Sequence, residues 1–302
     1  LDEKPSTLLS EAYMDIVEGR VKPVPSPLGR FNTSIGGGFR EGQVTVVAGT
    51  AGSGKSYFLV QHMLDWTKAD IPWKYKPLED SKIDVLQRML AINTHSWDPV
   101  TQTEEAALNA TELSLDPNNI TVMKRAGRCI EENTMVEGVD VNNWGMVESW
   151  MRQQADAGQR VIVVDPVSQI NFVQEFKRSF DLENKFMQNI TGWVKNYPCH
   201  IILVCHMTKG DGGNGSIRGS AAFTNLAHND IRIMGHEQRE SPIFIPEGGR
   251  DSVTHNKTIY ISKARNGHTG KSIACRVGNN GPEFMELGYI APEEKKGKYG
   301  RN

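Results

Sequence analysis

Apolar residues run along this chain in two alternating rhythms. Short runs rich in β-branched residues predict strands at "QVTVVAG" (43–49), "PWKYKPLE" (72–79), "NITVMKR" (119–125), "RVIVVDP" (160–166) and "HIILVCH" (200–206). Three more are predicted at "DIRIMG" (230–235), "KTIYISKAR" (257–265) and "SIACRV" (272–277). Between them, segments of helical period begin after Lys55, Ser81, Thr103, Asn143, Ser179 and Gly219. Such alternation predicts an α/β fold whose sheet is mainly parallel, twisted, and flanked by helices on both faces. The last two strands have no helix between them, which predicts an antiparallel hairpin across "NGHTGK".

The ends read differently. Residues 5–19 place Leu8, Leu9, Ala12 and Ile16 on one helical face, with Ser6 or Thr7 as cap and Gly19 as stop. That helix packs either on another subunit or on the surface of its own domain. "RVKPVPSPLG" follows and reads as an extended linker. The charged, glycine-bearing "EEKKGKYGRN" reads as a flexible tail. The organisation expected is a helix and linker over 1–24, one domain over 25–290 and a tail over 291–302.

The 302 residues are 38% hydrophobic and 23% charged, as in an ordinary globular protein. No apolar run approaches the roughly 20 residues of a membrane span. Residues 1–20 lack the basic start and apolar centre of a secretory signal. The four cysteines (Cys129, Cys199, Cys205, Cys275) lack metal-ligand spacing and read as free thiols in a reducing, cytoplasmic setting. A formal net charge of −2 excludes a globally basic coat for nucleic acid, though not a local basic strip.

One stretch carries chemistry outright. "VVAGTAGSGKSYFLVQ" (46–61) contains a full G-x-x-x-x-G-K-[ST] match over Gly49, Thr50, Ala51, Gly52, Ser53, Gly54, Lys55 and Ser56. The glycines let backbone N–H groups turn toward phosphate oxygens, and the following helix adds its dipole. Lys55 supplies charge for the β- and γ-phosphates, and Ser56 a hydroxyl for Mg²⁺. Asp165, ending "VIVVD", is the candidate carboxylate near that metal, because a charge at the end of a buried strand needs a cation or partner. Glu79 follows the second strand and is either the base that polarises water or a helix cap. His206 ends "IILVCH" and is either structural or a contact to the γ-phosphate.

Together with "PLEDSKIDVLQRML", "ILVCHMTKG…GSIRGSAAFTNLAHNDI" and "ISKARNGHTGK", these segments give a chain that resembles the RecA-like motor domain of DnaB-type replicative helicases. Through His206 and "IRGSAAF" it looks closer to the phage primase-helicases and Twinkle-like helicases. The resemblance covers residues 25–290. It implies Glu79 as catalytic base, Asp165 as Mg²⁺ carboxylate and His206 as γ-phosphate sensor. It also implies that Lys263 and the arginine finger Arg265 serve ATP held by a neighbouring subunit. The glycine-rich segment 206–223 would then line a channel for single-stranded DNA, with Lys209, Arg218, Gly219 and Ser220 on the strand. The resemblance further implies a hexameric ring, ATP, dTTP or another nucleoside triphosphate as fuel, and 5′ to 3′ movement at a replication fork. The expected setting is the cytoplasm of a bacterial or phage-infected cell, ahead of an organelle such as the mitochondrial matrix. No primase motif is present, so a primase would be a domain or partner outside this sequence. A recombinase filament and a nucleotide-switched clamp or loader are the alternatives.

Overall fold

In the computed structural model, residues 5–18, 22–132, 140–174, 177–208, 215–219, 221–244, 249–278 and 281–292 are described. The chain opens with α1 (Pro5–Val17), α2 (Gly29–Ser34), β1 (Gln43–Gly49), α3 (Lys55–Lys68), β2 (Trp73–Pro77) and α4 (Lys82–Asn93). It continues through α5 (Glu104–Leu115), α6 (Pro117–Cys129), α7 (Trp144–Asp156), β3 (Val161–Asp165), α8 (Ser179–Trp193), β4 (His200–His206) and α9 (Ala222–Leu226). Four strands complete it: β5 (Asn229–Phe244), β6 (Arg250–Ala264), β7 (Lys271–Gly278) and β8 (Gly281–Tyr289).

The strands form one sheet in the order β2-β3-β4-β1-β5-β6-β7-β8. From β2 to β5 every pairing is parallel, and from β5 to β8 every pairing is antiparallel. The parallel half follows from the helical crossovers, which must carry the chain back before the next strand starts. The expected hairpin is β6–β7, paired from Lys257 with Cys275 to Ile261 with Lys271.

Both faces of the parallel half are buried, which explains why its strands read as unbroken apolar runs. On one face Val47, Val163, Ile202 and Val204 pack against Phe31, Phe58, Trp66 and Met89 from α2, α3 and α4. On the other, Val46, Val164, Ile201 and Leu203 meet Val147 and Met151 of α7 and Phe186 and Met187 of α8. The polar letters of β2 are accommodated individually. Lys74 Nζ donates to the Arg128 carbonyl at 2.9 Å, and Lys76 Nζ lies 5.4 Å from the Trp150 ring centroid.

Two expectations are corrected. Residues 119–125 belong to α6, because Asp116 caps the helix by accepting from Asn118 N–H and Asn119 N–H, and Pro117 opens its first turn. Val122, Met123 and Ala126 then fall on the face that packs on the core, which outweighs the low helix propensity of the β-branched run. The edge strand β8 has no counterpart among the expected strands. Its burial comes from pairing with β7 and from Phe284 packing on the core.

Near the N-terminus, Val24 bridges to Phe39 and is 1% exposed, and Trp66 Nε1 donates to the Pro25 carbonyl at 2.9 Å. The Pro-rich segment is therefore strapped to the domain. By contrast α1 exposes Leu9, Tyr13, Ile16 and Val17. The expected tail over 291–302 starts too early, since Ala291 is 2% exposed and its N–H donates to the Pro242 carbonyl at 2.8 Å; residues 293–302 lie outside the described residues. Among the described residues no helix is long and apolar enough to cross a membrane.

Glu79 sits between β2 and α4, whose start is set by a capping box. Ser81 Oγ accepts from Asp84 N–H while the Asp84 carboxylate accepts from Ser81 N–H at 3.0 Å. Ser81→Ala should lower unfolding free energy by about 1 kcal/mol. Urea titration checks this, and an unchanged midpoint would contradict the cap.

Candidate functional site

β1 ends at Gly49, and the chain turns through 50–54 into α3. A Cβ at Gly49 would lie 2.5 Å from both the Ile233 carbonyl oxygen and Ser53 Oγ, so only glycine fits there. Gly52 and Gly54 hold φ values of 73° and 102°, in the left-handed region that glycine adopts without strain. Gly54 is the N-cap of α3 and offers no side-chain cap, which leaves first-turn N–H groups for a ligand. Ser53 Oγ is buried with no hydrogen-bond partner. An orphaned hydroxyl beside an uncapped helix N-terminus fits phosphate oxygens.

Lys55 is 6% exposed, and its Nζ donates to the carbonyls of Gly49 at 3.0 Å and Thr50 at 2.9 Å. Burial lowers its pKa, while the nearby Asp165 and Glu79 charges pull it up. Asp165, paired with Pro77 at the end of β3, is raised to about 6, chiefly by burial. The Tyr75 hydroxyl opposes that shift by donating to Asp165 Oδ2 at 2.9 Å. A buried carboxylate held this way, with Ser56 on the same cavity wall, fits a hard divalent cation.

His206 pairs in register with Gly49, so β4 delivers it directly beside the phosphate loop. Its Nε2 lies 3.7 Å from Oε2 of Glu79, which is exposed. Burial, then the Lys55 charge, lowers the His206 pKa, while the Glu79 carboxylate opposes the shift. Lys55, Ser56, Glu79, Asp165 and His206 all line one cavity of about 290 Å³. That convergence at the carboxyl ends of parallel strands is the usual ligand crevice of such sheets.

Arg88 also lines the cavity, and Lys257 stands behind the phosphate loop. Arg88 of α4 donates to both carboxylate oxygens of Asp80, with Nη2 to Oδ1 at 2.9 Å, and lies over the Tyr57 ring. Lys257 reaches from β6 to within 3.5 Å of the Gly52 carbonyl. Only strand register and helix rotation bring these residues in, so no local motif announces them.

Lys263 and Arg265 stand elsewhere. Lys263 pairs with Asp230 and Ala264 with Asn229, and Asn229 pairs with Thr45. Thr45 lies four residues before Gly49 on β1, roughly 13 Å away at 3.3 Å per residue. Lys263 Nζ is held by the carbonyls of Ala227 at 2.7 Å, Asn225 at 2.9 Å and Thr224 at 3.4 Å. Arg265 is exposed.

The glycine-rich segment leaves β4 as a short two-stranded stem. Met207 bridges to Ile217, and Arg218 N–H donates to the His206 carbonyl at 2.8 Å. Arg218 and Gly219 are exposed. Lys209 and Ser220 lie outside the described residues.

Phosphate loop, buried Asp165 and mixed sheet together define a P-loop ATPase domain of RecA-like fold. The chain belongs to the AAA domain family, which it matches over residues 13–212. It is 23% identical over 231 residues to a DNA helicase/primase of Enterobacteria phage T3, spanning 69% of this chain and 38% of that protein. In fold it is similar to a DnaB-like replicative helicase solved with its primase interactions (TM-score 0.65, 12% identical, 95% of this chain and 68% of that one). It is also similar to a KaiC-like protein of the archaeon Pyrococcus horikoshii OT3 (TM-score 0.56, 17% identical, 88% of this chain and 99% of that one). These likenesses support the resemblance to a DnaB-type helicase motor domain.

Tyr75→Phe should leave nucleotide affinity in EDTA unchanged and weaken the Mg²⁺-dependent gain by about tenfold. Titration with a fluorescent nucleotide measures both, and equal weakening in the two buffers would contradict the assigned role.

Proposed function

We propose that this chain is the motor domain of a replicative DNA helicase, a ring of like subunits, hexameric by the resemblance, that hydrolyses nucleoside triphosphate between subunits and moves 5′ to 3′ on single-stranded DNA. The observation that carries the reading is the double use of His206. Its imidazole faces the cavity beside Glu79, while its carbonyl accepts from Arg218 N–H at the base of the glycine-rich stem. Loss of a γ-phosphate contact at the ring would thus act on a residue already bonded to the strand-facing segment.

The roles follow from position. The amides of 49–54 and Lys55 bind the phosphates of ATP, dTTP or a similar nucleotide. Mg²⁺, held by Ser56 and Asp165, would neutralise charge between the β- and γ-oxygens. Glu79 orients the attacking water and accepts its proton. His206 contacts the γ-phosphate. Lys263 and Arg265 lie too far from their own phosphate loop to serve it, which supports their acting on the nucleotide of the next subunit. Arg218 and Gly219, with Lys209 and Ser220, contact the strand backbone without reading bases, as a motor that passes any sequence requires. The exposed apolar face of α1 suits docking on a neighbouring subunit. The similarity to a phage helicase/primase supports work in the cytoplasm of a bacterial or phage-infected cell, with primase supplied by a domain or partner outside this sequence.

The test is a forked duplex with Mg²⁺ and ATP or dTTP, given either a 5′ or a 3′ single-stranded tail. Separation that requires the 5′ tail is expected. Hydrolysis without separation on either substrate would favour a filament or a nucleotide-switched clamp instead.

A further inference from the structure

At the end of the sheet away from the phosphate loop, three buried polar side chains form an unbroken chain under the Arg265 loop. Its direction is set by chemistry. His200 Nδ1 lies 2.6 Å from the Arg40 carbonyl oxygen, which can only accept, so Nδ1 carries the proton. The ring is fully buried and burial lowers its pKa to about 4, so Nε2 is bare at neutral pH. Nε2 therefore accepts from the Thr45 hydroxyl at 2.8 Å. Thr45 Oγ1 accepts in turn from Asn229 Nδ2 at 2.9 Å, and Asn229 Oδ1 accepts at 3.2 Å from Arg265 N–H, which it shares with the His228 carbonyl at 3.2 Å. Thr45, His200 and Asn229 are at most 2% exposed. A fully satisfied buried network of this kind fixes its members in one arrangement.

The loop that follows is clamped from the outside as well. His268 N–H donates to the Ser34 carbonyl at 2.7 Å, and Gln43 Nε2 donates to Asn266 Oδ1 at 2.6 Å. A Cβ at Gly267 would lie 2.0 Å from Ser34 O, and one at Gly36 2.2 Å from Asn266 O, so the two backbones touch. Arg265 itself remains exposed. A long cationic side chain on a backbone pinned this firmly is poised to engage a group outside its own subunit.

We infer that Thr45, His200 and Asn229 are positioning residues that hold the Arg265 backbone so that its guanidinium meets the nucleotide of the neighbouring subunit. This rests on the shared-interface reading above. None of the three lines the phosphate cavity: Thr45 lies four residues before Gly49, and His200 and Asn229 open β4 and β5.

Two crippled proteins separate this role from ordinary stability. An acceptor carrying Arg265→Ala keeps its phosphate loop, and a donor carrying Lys55→Ala keeps its finger. Mixed together with Mg²⁺ and ATP, without DNA, they should recover phosphate release at interfaces where a donor finger meets an acceptor site. Thr45→Val in the donor removes the hydroxyl at nearly constant shape and should cut the recovered rate about tenfold or more, because small misplacements of a catalytic group are costly. The same change in the acceptor should cost less than about twofold, and Thr45→Ser in the donor should keep the rate within about twofold. Equal loss in both arms, or no loss in the donor, would overturn the positioning role. No recovery from the unmodified pair would overturn the shared interface itself, and the positioning role with it.

Discussion

An ammonium and a carboxylate are buried together at one end of a parallel sheet, and much of the molecule exists to keep them there. Lys55 is 6% exposed and Asp165 7%. Removing such charges from water is expensive, by several kcal/mol per ion, unless partners replace the lost hydration. The protein supplies some partners: two loop carbonyls for Lys55 and the Tyr75 hydroxyl for Asp165. What remains unmet is the demand for anionic oxygens at Lys55 and Ser53 and for a cation at Asp165. Mg²⁺ and a nucleoside triphosphate have that composition. The two apolar layers on either face of the sheet hold the strand ends in place, so the demand is built in before any ligand arrives.

The same strands have a second end. β1 carries Gly49 at one end and Thr45 near the other, and β4 carries His206 and His200 in the same way. One end carries the phosphate loop. The other anchors the loop that bears Arg265. Along β1, Thr45 and Gly49 are thus roughly 13 Å apart within one chain. On the proposed reading a second copy would complete the site, which suits an enzyme whose turnover depends on a correctly seated neighbour. His206 adds a third connection through its carbonyl to Arg218.

The phosphate loop, Asp165 and His206 were legible from letters alone, because each sits where an apolar run stops at a residue that burial would otherwise forbid. Glu79 needed more, since a carboxylate before a helix reads equally as a cap. Here Ser81 and Asp84 perform the capping, which leaves Glu79 facing His206. The helix over 117–129 hid behind a β-branched stretch whose cap, Asp116 with Pro117, was the better signal. Tyr75, Arg88 and Lys257 could not be read out, because register and helix rotation, not any spacing in sequence, bring them to Asp165, the cavity and the phosphate loop. For the same reason Thr45, His200 and Asn229 look like ordinary strand residues until the sheet aligns them.

In the proposed ring one subunit's catalytic end faces another subunit's finger. The most direct measurement is an electron cryomicroscopy structure of the assembled protein with Mg²⁺ and a non-hydrolysable ATP analogue. The account predicts the γ-phosphate held by Lys55 and His206 of one subunit, with the Arg265 guanidinium of the next within hydrogen-bonding distance. An Arg265 that reaches the nucleotide of its own chain, or stays remote from every nucleotide in the assembly, would contradict it.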